Sequence, residues 1–410
     1  MSRPTHPSTR VLIAGAGPHA LTILQYLATV GIEPADVTVV DPRPWLAAWR
    51  SRFAAHDIPM LRSSRVHHPH PDPHALMHYA RDRGRSEFYD GIGRPGSGLF
   101  DDFCDHLLDS GSWRDRHVAA VVRHVRSTQD GCEVDLSTGT TITSQHVIVA
   151  VNPIHPDLPA WAVAHGLQRR RACMVDGRVS LGHGDHVELS LDVAAGQRVQ
   201  VIGGGLTAAQ LALGAARRGA AVTLAHRSTF RTRDLDVEPT WLGRDLEAFH
   251  RAPPVRRPTL LAQARGGGSI PPRELGKLRR MLRRGRMRIL EQTRMTDIDQ
   301  RGDHWVISLN DQGAYDYDSV WLATGHRIDA AEAGFLTPVL RRAGSRRGLA
   351  SLTHDLRIPG TQVHVSGGLA GLHVGPTCRT LIGARMAAER MLPTFGEPMR
   401  TCQYPGPTGS

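Results

Sequence analysis

Val11-Leu-Ile-Ala-Gly15-Ala-Gly17-Pro-His-Ala20 and Val199-Gln-Val-Ile-Gly203-Gly-Gly205-Leu-Thr-Ala208 decide the fold of this chain. Each starts as an apolar run of strand length, turns on glycines and continues as an apolar helical pattern. That strand–turn–helix context is what a dinucleotide-binding fingerprint requires. One such string arises easily by chance. Two copies, each in the right context, predict two nucleotide sites and an α/β fold with two Rossmann-like dinucleotide-binding domains.

The residue types carry the chemistry. Gly15 permits the tight turn, Gly17 lets the backbone approach a pyrophosphate, and Ala20 allows close helix–strand packing. The positive end of the helix dipole favours the diphosphate. Val37-Thr-Val-Val40 reads as the next strand and ends in Asp41, placed to accept hydrogen bonds from ribose hydroxyls. In the second copy Gly203 and Gly205 play the same parts, and Thr207 and Ala208 open the helix. Its following strand, Ala221-Val-Thr-Leu-Ala225, ends in His226-Arg227-Ser228 with no acid. A guanidinium there can pair with a 2′-phosphate, so the second site is expected to prefer NADP(H) through Arg227. Arg231 and Arg233 are secondary candidates for the same phosphate.

Around these anchors the chain divides. The first unit has a strand at Val11–Ala14 and a helix at Ala20–Val30. Val118–Val125, Glu133–Leu136 and His146–Val151 read as short returning strands. Residues 51–115, rich in His, Pro and Arg, read as an irregular insertion around a ligand. A connector spans 153–197. The second unit runs from a strand at Arg198–Ile202 through a helix from about Thr207 to Arg218. Trp305–Leu309 and Asp318–Ala323 are expected to form a hairpin returning to that unit. Val363–Ser366 and a helix from Leu381 to Met391 rejoin the first domain. The expected arrangement is a discontinuous first domain, 1–175 and 327–410, with the second, 176–326, inserted. Tyr404-Pro-Gly-Pro-Thr-Gly-Ser is expected to be a disordered tail.

Composition narrows the classes. The 410 residues, 40% hydrophobic and 22% charged, suit a soluble protein of more than one domain. The polar Met1–Arg10 lacks a secretory h-region, and no apolar run approaches the length of a membrane span. Five scattered cysteines, Cys104, Cys132, Cys173, Cys378 and Cys402, suggest a reducing cytoplasm. No C-x-x-C exists, which removes the dithiol of thioredoxin-reductase chemistry. The formal charge is +11, much of it in Lys277–Arg288. Leu275, Leu278, Met281 and Leu282 fall at helical spacing there, which predicts an amphipathic helix with a solvated basic face and no nucleic-acid site. His67, His68, His70, His74 and His78 crowd together, but Pro69, Pro71 and Pro73 interrupt any helix. No metal site is expected; the imidazoles and Arg62 are expected to line a cofactor pocket or contact a diphosphate.

The two glycine turns, Ala323-Thr324-Gly325, and the run from Met60-Leu-Arg62 through Pro73-His-Ala-Leu-Met-His-Tyr79 together resemble the flavin-dependent monooxygenases of the two-dinucleotide class, particularly the lysine/ornithine N-hydroxylases. The resemblance spans roughly residues 10–392. It implies FAD in the first site and NADPH in the second. The residues it places at the cofactors are Gly15, Gly17, Pro18, His19, Asp41, Trp49, Met60, Arg62 and His373 for the first, and Gly203, Gly205, Leu206, Thr207, Arg227, Thr324 and Gly325 for the second. His373, in Gly368-Leu-Ala-Gly371-Leu-His-Val-Gly375-Pro376, corresponds to the family's last flavin-contacting loop. The implied chemistry is reduction of FAD by NADPH, reaction with O2 to a C4a-(hydro)peroxide, and hydroxylation of an amine nitrogen of a small metabolite. No catalytic side chain is implied, since the flavin carries the reaction. A membrane or nucleic-acid partner is not expected; a homo-oligomer is compatible with the resemblance. Two departures stand out. Ala20 replaces the usual Asn of the N-hydroxylases. The Baeyer–Villiger fingerprint survives only as Ser180-Leu-Gly182-His-Gly-Asp-His186-Val-Glu-Leu-Ser190, without its aromatic ends. Sulfur oxidation, or electron transfer without oxygen insertion, therefore stay open as alternatives.

Overall fold

The computed structural model describes residues 7–167, 172–310, 313–330, 333–341, 345–346 and 348–397. The tail at 404–410 lies outside them. The chain opens with β1 (Ser8–Ala14), α1 (Pro18–Ala28) and β2 (Val37–Asp41). Val11, Leu12 and Ile13 are fully buried in the strand, and Leu21, Ile23, Leu24 and Leu27 bury one face of the helix on it. Each such side chain removed from water stabilises the unit by about 1.5–3 kcal/mol.

Residues 51–115 are not irregular as expected. They carry most of α2 (Ala47–Ala55), α3 (Ala75–Asp82), the hairpin of β3 (Phe88–Tyr89) and β4 (Arg94–Pro95), and α4 (Ser97–Ser110). α2 buries no residue outright, so it leaves no apolar period to read. α4 does have one, burying Leu99, Phe100, Phe103, Leu107 and Leu108. Next come β5 (His117–Ala119), β6 (Val122–Ser127), β7 (Cys132–Leu136) and β8 (Thr141–Val149).

β9 (Ile154–Pro156), α5 (Ala160–Ala164), β10 (Ala172–Val175), β11 (Arg178–His183) and α6 (Leu189–Asp192) lead to β12 (Arg198–Ile202), α7 (Leu206–Arg217) and β13 (Ala221–Ala225). α8 (Arg244–Arg251), α9 (Arg257–Arg265) and α10 (Pro272–Arg283) precede β14 (Met287–Leu290), β15 (Met295–Arg301), β16 (His304–Leu309), β17 (Gly313–Tyr317), β18 (Ser319–Leu322) and β19 (His326–Ile328). α11 (Thr337–Leu340), β20 (Ser345–Arg346), β21 (Leu349–Ala350), β22 (Val363–Val365), α12 (Gly371–Val374) and α13 (Leu381–Met391) complete the chain. α10 buries Leu275 and Leu278 and turns Arg279, Arg280 and Arg283 outward.

The strands form two large sheets. The first has the order β5-β2-β1-β8-β7-β6, and β22 pairs with the C-terminal half of β8. β5, β2, β1, β8 and β22 are parallel; β7 and β6 are antiparallel. The second has the order β10-β11-β18-β12-β13-β14, parallel from β11 through β14. β10 precedes the boundary expected at residue 176, yet it pairs antiparallel with β11. Residues from Ala172 onward thus already belong to the second sheet. Trp305–Leu309 does not return to that sheet. It is the centre of a separate antiparallel meander, β15-β16-β17, and β18 alone inserts between β11 and β12. The entering and leaving chains meet in a small pairing of β9 with β19.

Candidate cofactor-binding junction

At the first turn Gly15 adopts φ +109°, and a Cβ there would lie 3.0 Å from the Ala150 carbonyl oxygen. Its N–H donates to Val40 O at 2.8 Å, which pins the turn between β1 and β2. Gly17 is the N-cap of α1. It makes no side-chain cap, the first turn contains no acid, and Pro18 stands at the helix start. The amides at this end are left for an outside acceptor. Nothing lies within 4 Å of a Cβ at Gly17. Asp41 ends β2, accepting from the Ala16 N–H at 3.1 Å and from the Arg43 N–H at 2.9 Å. These bonds fix a carboxylate at the strand tip and leave it lone pairs for hydroxyl donors.

The second turn repeats the geometry. Gly203 has φ +153°, and a Cβ would fall 2.3 Å from Ala323 O. Gly205 caps α7 without a side-chain bond or a first-turn acid, so Leu206 and Thr207 open an uncapped helix. Arg227, at the tip of β13, is exposed. Arg231 and Arg233 are committed elsewhere: Arg231 donates to Gly266 O, and Arg233 donates to Ala264 O at 2.8 Å and pairs with Glu238 at 2.7 Å. After β18, Thr324 keeps its Oγ1 enclosed with no partner among the described residues, and Gly325 adopts φ +92°.

The remaining expected contacts divide. His19 is buried in the first turn of α1, with Nδ1 3.1 Å from Ser366 Oγ and Nε2 without a partner among the described residues. Burial pushes its pKa down to about 4, so the ring is neutral. Trp49 packs on Phe53 and Phe100, with centroids 4.2 and 5.4 Å away. Met60 is buried, its sulfur 3.2 Å from Arg273 Nη1.

Arg62 corrects the expectation of a diphosphate contact. Its guanidinium donates to the carbonyls of Arg233, Asp234, Leu235 and Ser269, to Ser269 Oγ and to Asp236 Oδ1. It has no donor left and instead clips the segment after α2 to the loop after β13. His373 is also spent on packing. Its Nε2 accepts from the Leu352 N–H at 3.0 Å, and its carbonyl accepts from His250 and Arg390. The 67–78 histidines disperse rather than converge. His68 Nε2 lies 3.2 Å from Pro73 O, and His70 Nδ1 accepts from the Asp72 N–H. Arg385 ties this segment to α13 through Val66 O and Pro71 O.

One group at the junction carried no sequence prediction. Asp185, just past β11, accepts from His326 Nε2, and Arg52 of α2 pairs with it at 3.0 Å. His183 Nδ1 stands 3.6 Å away. Burial raises the Asp185 pKa, but the neighbouring imidazoles of His183 and His326 and the charge of Arg52 outweigh it and hold the carboxylate far below its usual range. His183, Asp185 and His326 are close enough to ligate an ion. With Arg52 already neutralising the carboxylate, a further dication would meet uncompensated positive charge. The visible signal was small: an Asp directly after Gly184, and a His directly after Gly325.

A small open cleft lies between Ser63 and His67 of the first unit, Asp236 and Glu238 of the second, and Thr377 and Thr380 before α13. It joins three separate parts of the sequence. The glycine cradles, the uncapped helix ends and the enclosed polar atoms of His19 and Thr324 fit two dinucleotides.

The profile of the pyridine nucleotide-disulphide oxidoreductase family matches residues 9–240, more than half of the chain. The chain belongs to this family. No match was found among curated protein sequences. Among solved structures, the ornithine N-hydroxylase of Kutzneria sp. 744, solved with reduced FAD, NADP+ and L-ornithine, superposes with a TM-score of 0.76 at 15% identity, covering 95% of this chain and 99% of that one. The FAD-bound cadaverine monooxygenase of Erwinia amylovora gives 0.74 at 15%, covering 98% of each. The bacillithiol disulfide reductase of Bacillus cereus gives 0.59 at 16%, covering 95% and 99%. At these identities the likeness is one of fold, and it is greater to the hydroxylases.

Proposed function

We propose that this family member is an NADPH- and FAD-dependent monooxygenase that hydroxylates an amine nitrogen of a small metabolite. The observation that carries the reading is the inequality of two otherwise equivalent turns. Asp41 at the first strand tip suits the free ribose of FAD, whereas Arg227 at the second suits the 2′-phosphate of NADPH. The absence of a C-x-x-C separates the chain from dithiol-based reductases. Its greater fold likeness to the N-hydroxylases points the same way.

A bound flavin would supply hydride acceptance from NADPH and activation of O2. The chain's own residues bind, orient and shield. The α1 and α7 amides hold the diphosphates, and Asp41 and Arg227 fix each adenosine end. His19, neutral and buried, presents Nε2 without adding charge. Asp236 and Glu238 line the cleft already paired with Arg62 and Arg233, so its wall is polar and close to neutral. The Arg62 clip and the Asp185–His326 contact hold segments of the two units together. No helix among the described residues is long and apolar enough to cross a membrane. A cytoplasmic enzyme acting on a small amine with O2 is consistent with that.

The test is NADPH consumption with a panel of amino acids and diamines, with product mass analysed in parallel. A substrate-dependent gain of one oxygen on an amine supports the reading. NADPH oxidation that yields only hydrogen peroxide, whatever amine is present, assigns an oxidoreductase without oxygen insertion. Purified protein that binds neither FAD nor NADPH overturns both.

A further inference from the structure

We propose that Arg379 is an oxyanion-binding residue that pairs with the diphosphate of the dinucleotide held by the first glycine turn. This rests on the FAD reading above but names a residue that no motif singled out.

Arg379 is only partly exposed, and its guanidinium makes no hydrogen bond or ion pair among the described residues. Five donors held away from bulk water without an acceptor are costly. The surroundings make the cost worse. Burial and the nearby positive charges of Arg265 and Arg52 all disfavour its charged form, and the one carboxylate in range, Asp236, is engaged by Arg62. A positive group kept in a positive environment calls for an anion from outside.

Its position says which anion. The carbonyls of Arg379 and Thr380 lie against the ring of His19, in the first turn of α1. Thr380 is the N-cap of α13. At the other end of the same pair of helices, Tyr26 OH of α1 bonds Glu389 of α13 at 3.1 Å. α1 and α13 therefore run side by side in the same direction, with their N-termini adjacent. Each end carries about half a positive charge, so the two ends beside a guanidinium favour an anion, with the α13 end already capped in part by Thr380 Oγ1, which accepts from the Gly383 N–H. The α1 end is uncapped and free of acid, and the buried His19 Nε2 beside it lacks a partner among the described residues. A diphosphate satisfies all of these groups together. Arg62, the residue the sequence offered for this task, cannot.

The test is FAD binding to the flavin-stripped protein, followed by fluorescence quenching, for wild type, Arg379→Gln and Arg379→Lys. Riboflavin, which has the isoalloxazine but no diphosphate, is titrated in parallel, and far-ultraviolet circular dichroism confirms folding. Removing a charge-assisted pair should weaken FAD by about 10- to 100-fold in Arg379→Gln. Arg379→Lys should recover part of the loss, and riboflavin should change less than about twofold. Unchanged FAD affinity with a raised substrate KM would reassign Arg379 to a substrate carboxylate and overturn the proposal. Equal losses for FAD and riboflavin would overturn it as a packing effect. Wild-type protein that binds no FAD would remove the functional reading as well, whereas wild type and variant binding FAD equally would remove only this inference.

Discussion

The first and last glycines of each turn look interchangeable in sequence, yet the structure separates their work, and alanine substitution reads the difference. At Gly203 a methyl carbon would sit 2.3 Å from the Ala323 carbonyl oxygen, with the backbone at φ +153°. Ala323 cannot retreat freely, because its N–H is bonded to Ile202 O at 2.7 Å. Backbone strain and overpacking together should cost Gly203→Ala about 2–6 kcal/mol. At Gly205 the nearest atom to a new methyl is Gly268 Cα, 3.8 Å away, and φ is −104°. That substitution should leave stability within about 0.5 kcal/mol of wild type. Its methyl, however, occupies the surface across which a diphosphate approaches the α7 amides, so NADPH affinity should fall on the order of tenfold or more. Gly15, 3.0 Å from Ala150 O at φ +109°, and Gly17, with nothing within 4 Å, form the matching pair for FAD. Thermal melting followed by tryptophan fluorescence, with calorimetric titration of NADPH, checks both halves. Gly205→Ala melting as low as Gly203→Ala, or keeping wild-type NADPH affinity, would refute the division of labour.

Arg227→Ala should weaken NADPH by about 10- to 100-fold and leave NADH nearly unchanged, while Arg231→Ala, whose guanidinium is bonded to Gly266 O, should not discriminate between them; equal losses of NADPH and NADH in Arg227→Ala would count against a 2′-phosphate contact. Arg62→Met should lower stability by about 3 kcal/mol, because Asp236 and the carbonyls of 233–235 lose their donor, and limited proteolysis should then cut the loop after β13 faster than in wild type. Burial depresses His19, His364 and His373 from 6.5 to about 4, and His68 to about 3. The unfolded chain therefore takes up these protons first as the pH falls. Stability is complete above pH 6.5 and drains toward pH 4, each ring adding up to about 1.4 kcal/mol per pH unit. A melting temperature flat from pH 7 to 5 would contradict that sign.

Both turns and both strand tips were legible because they rest on local rules: where glycine is needed, where a helix starts uncapped, which charge ends a strand. What was not legible depended on partners distant in sequence. Trp305–Leu309 is a short apolar, β-branched run that suits a returning strand and an antiparallel meander equally well; only the pairing with Met295–Arg301 and Gly313–Tyr317 decides. Arg62 and His373 were expected at the flavin. Their occupants came from the loop after β13 and from Leu352, which no spacing rule links to them. Arg379 shows the converse, for its significance lies in having no partner, and a sequence cannot display that.

Arg62 and the Asp185–His326 pair lie where the two units meet. The proposed hydride transfer between two dinucleotides needs the reacting atoms about 3–3.5 Å apart, which neither Rossmann unit enforces alone. The chain ties the two units together with charged groups. Asp185 and His326 join the strands entering and leaving the second sheet. Arg52 and His56, which contacts Gly184 O at 2.9 Å, hold that pair to α2, and Arg62 clips the opposite side to the loop at 233–236. Every carboxylate in these contacts is matched by a cation, and the guanidinium left over, Arg379, sits beside the end of α1. Domain alignment and readiness for an anionic cofactor are thus two results of one charge distribution. Binding the diphosphate would complete the neutralisation of the junction and tighten it.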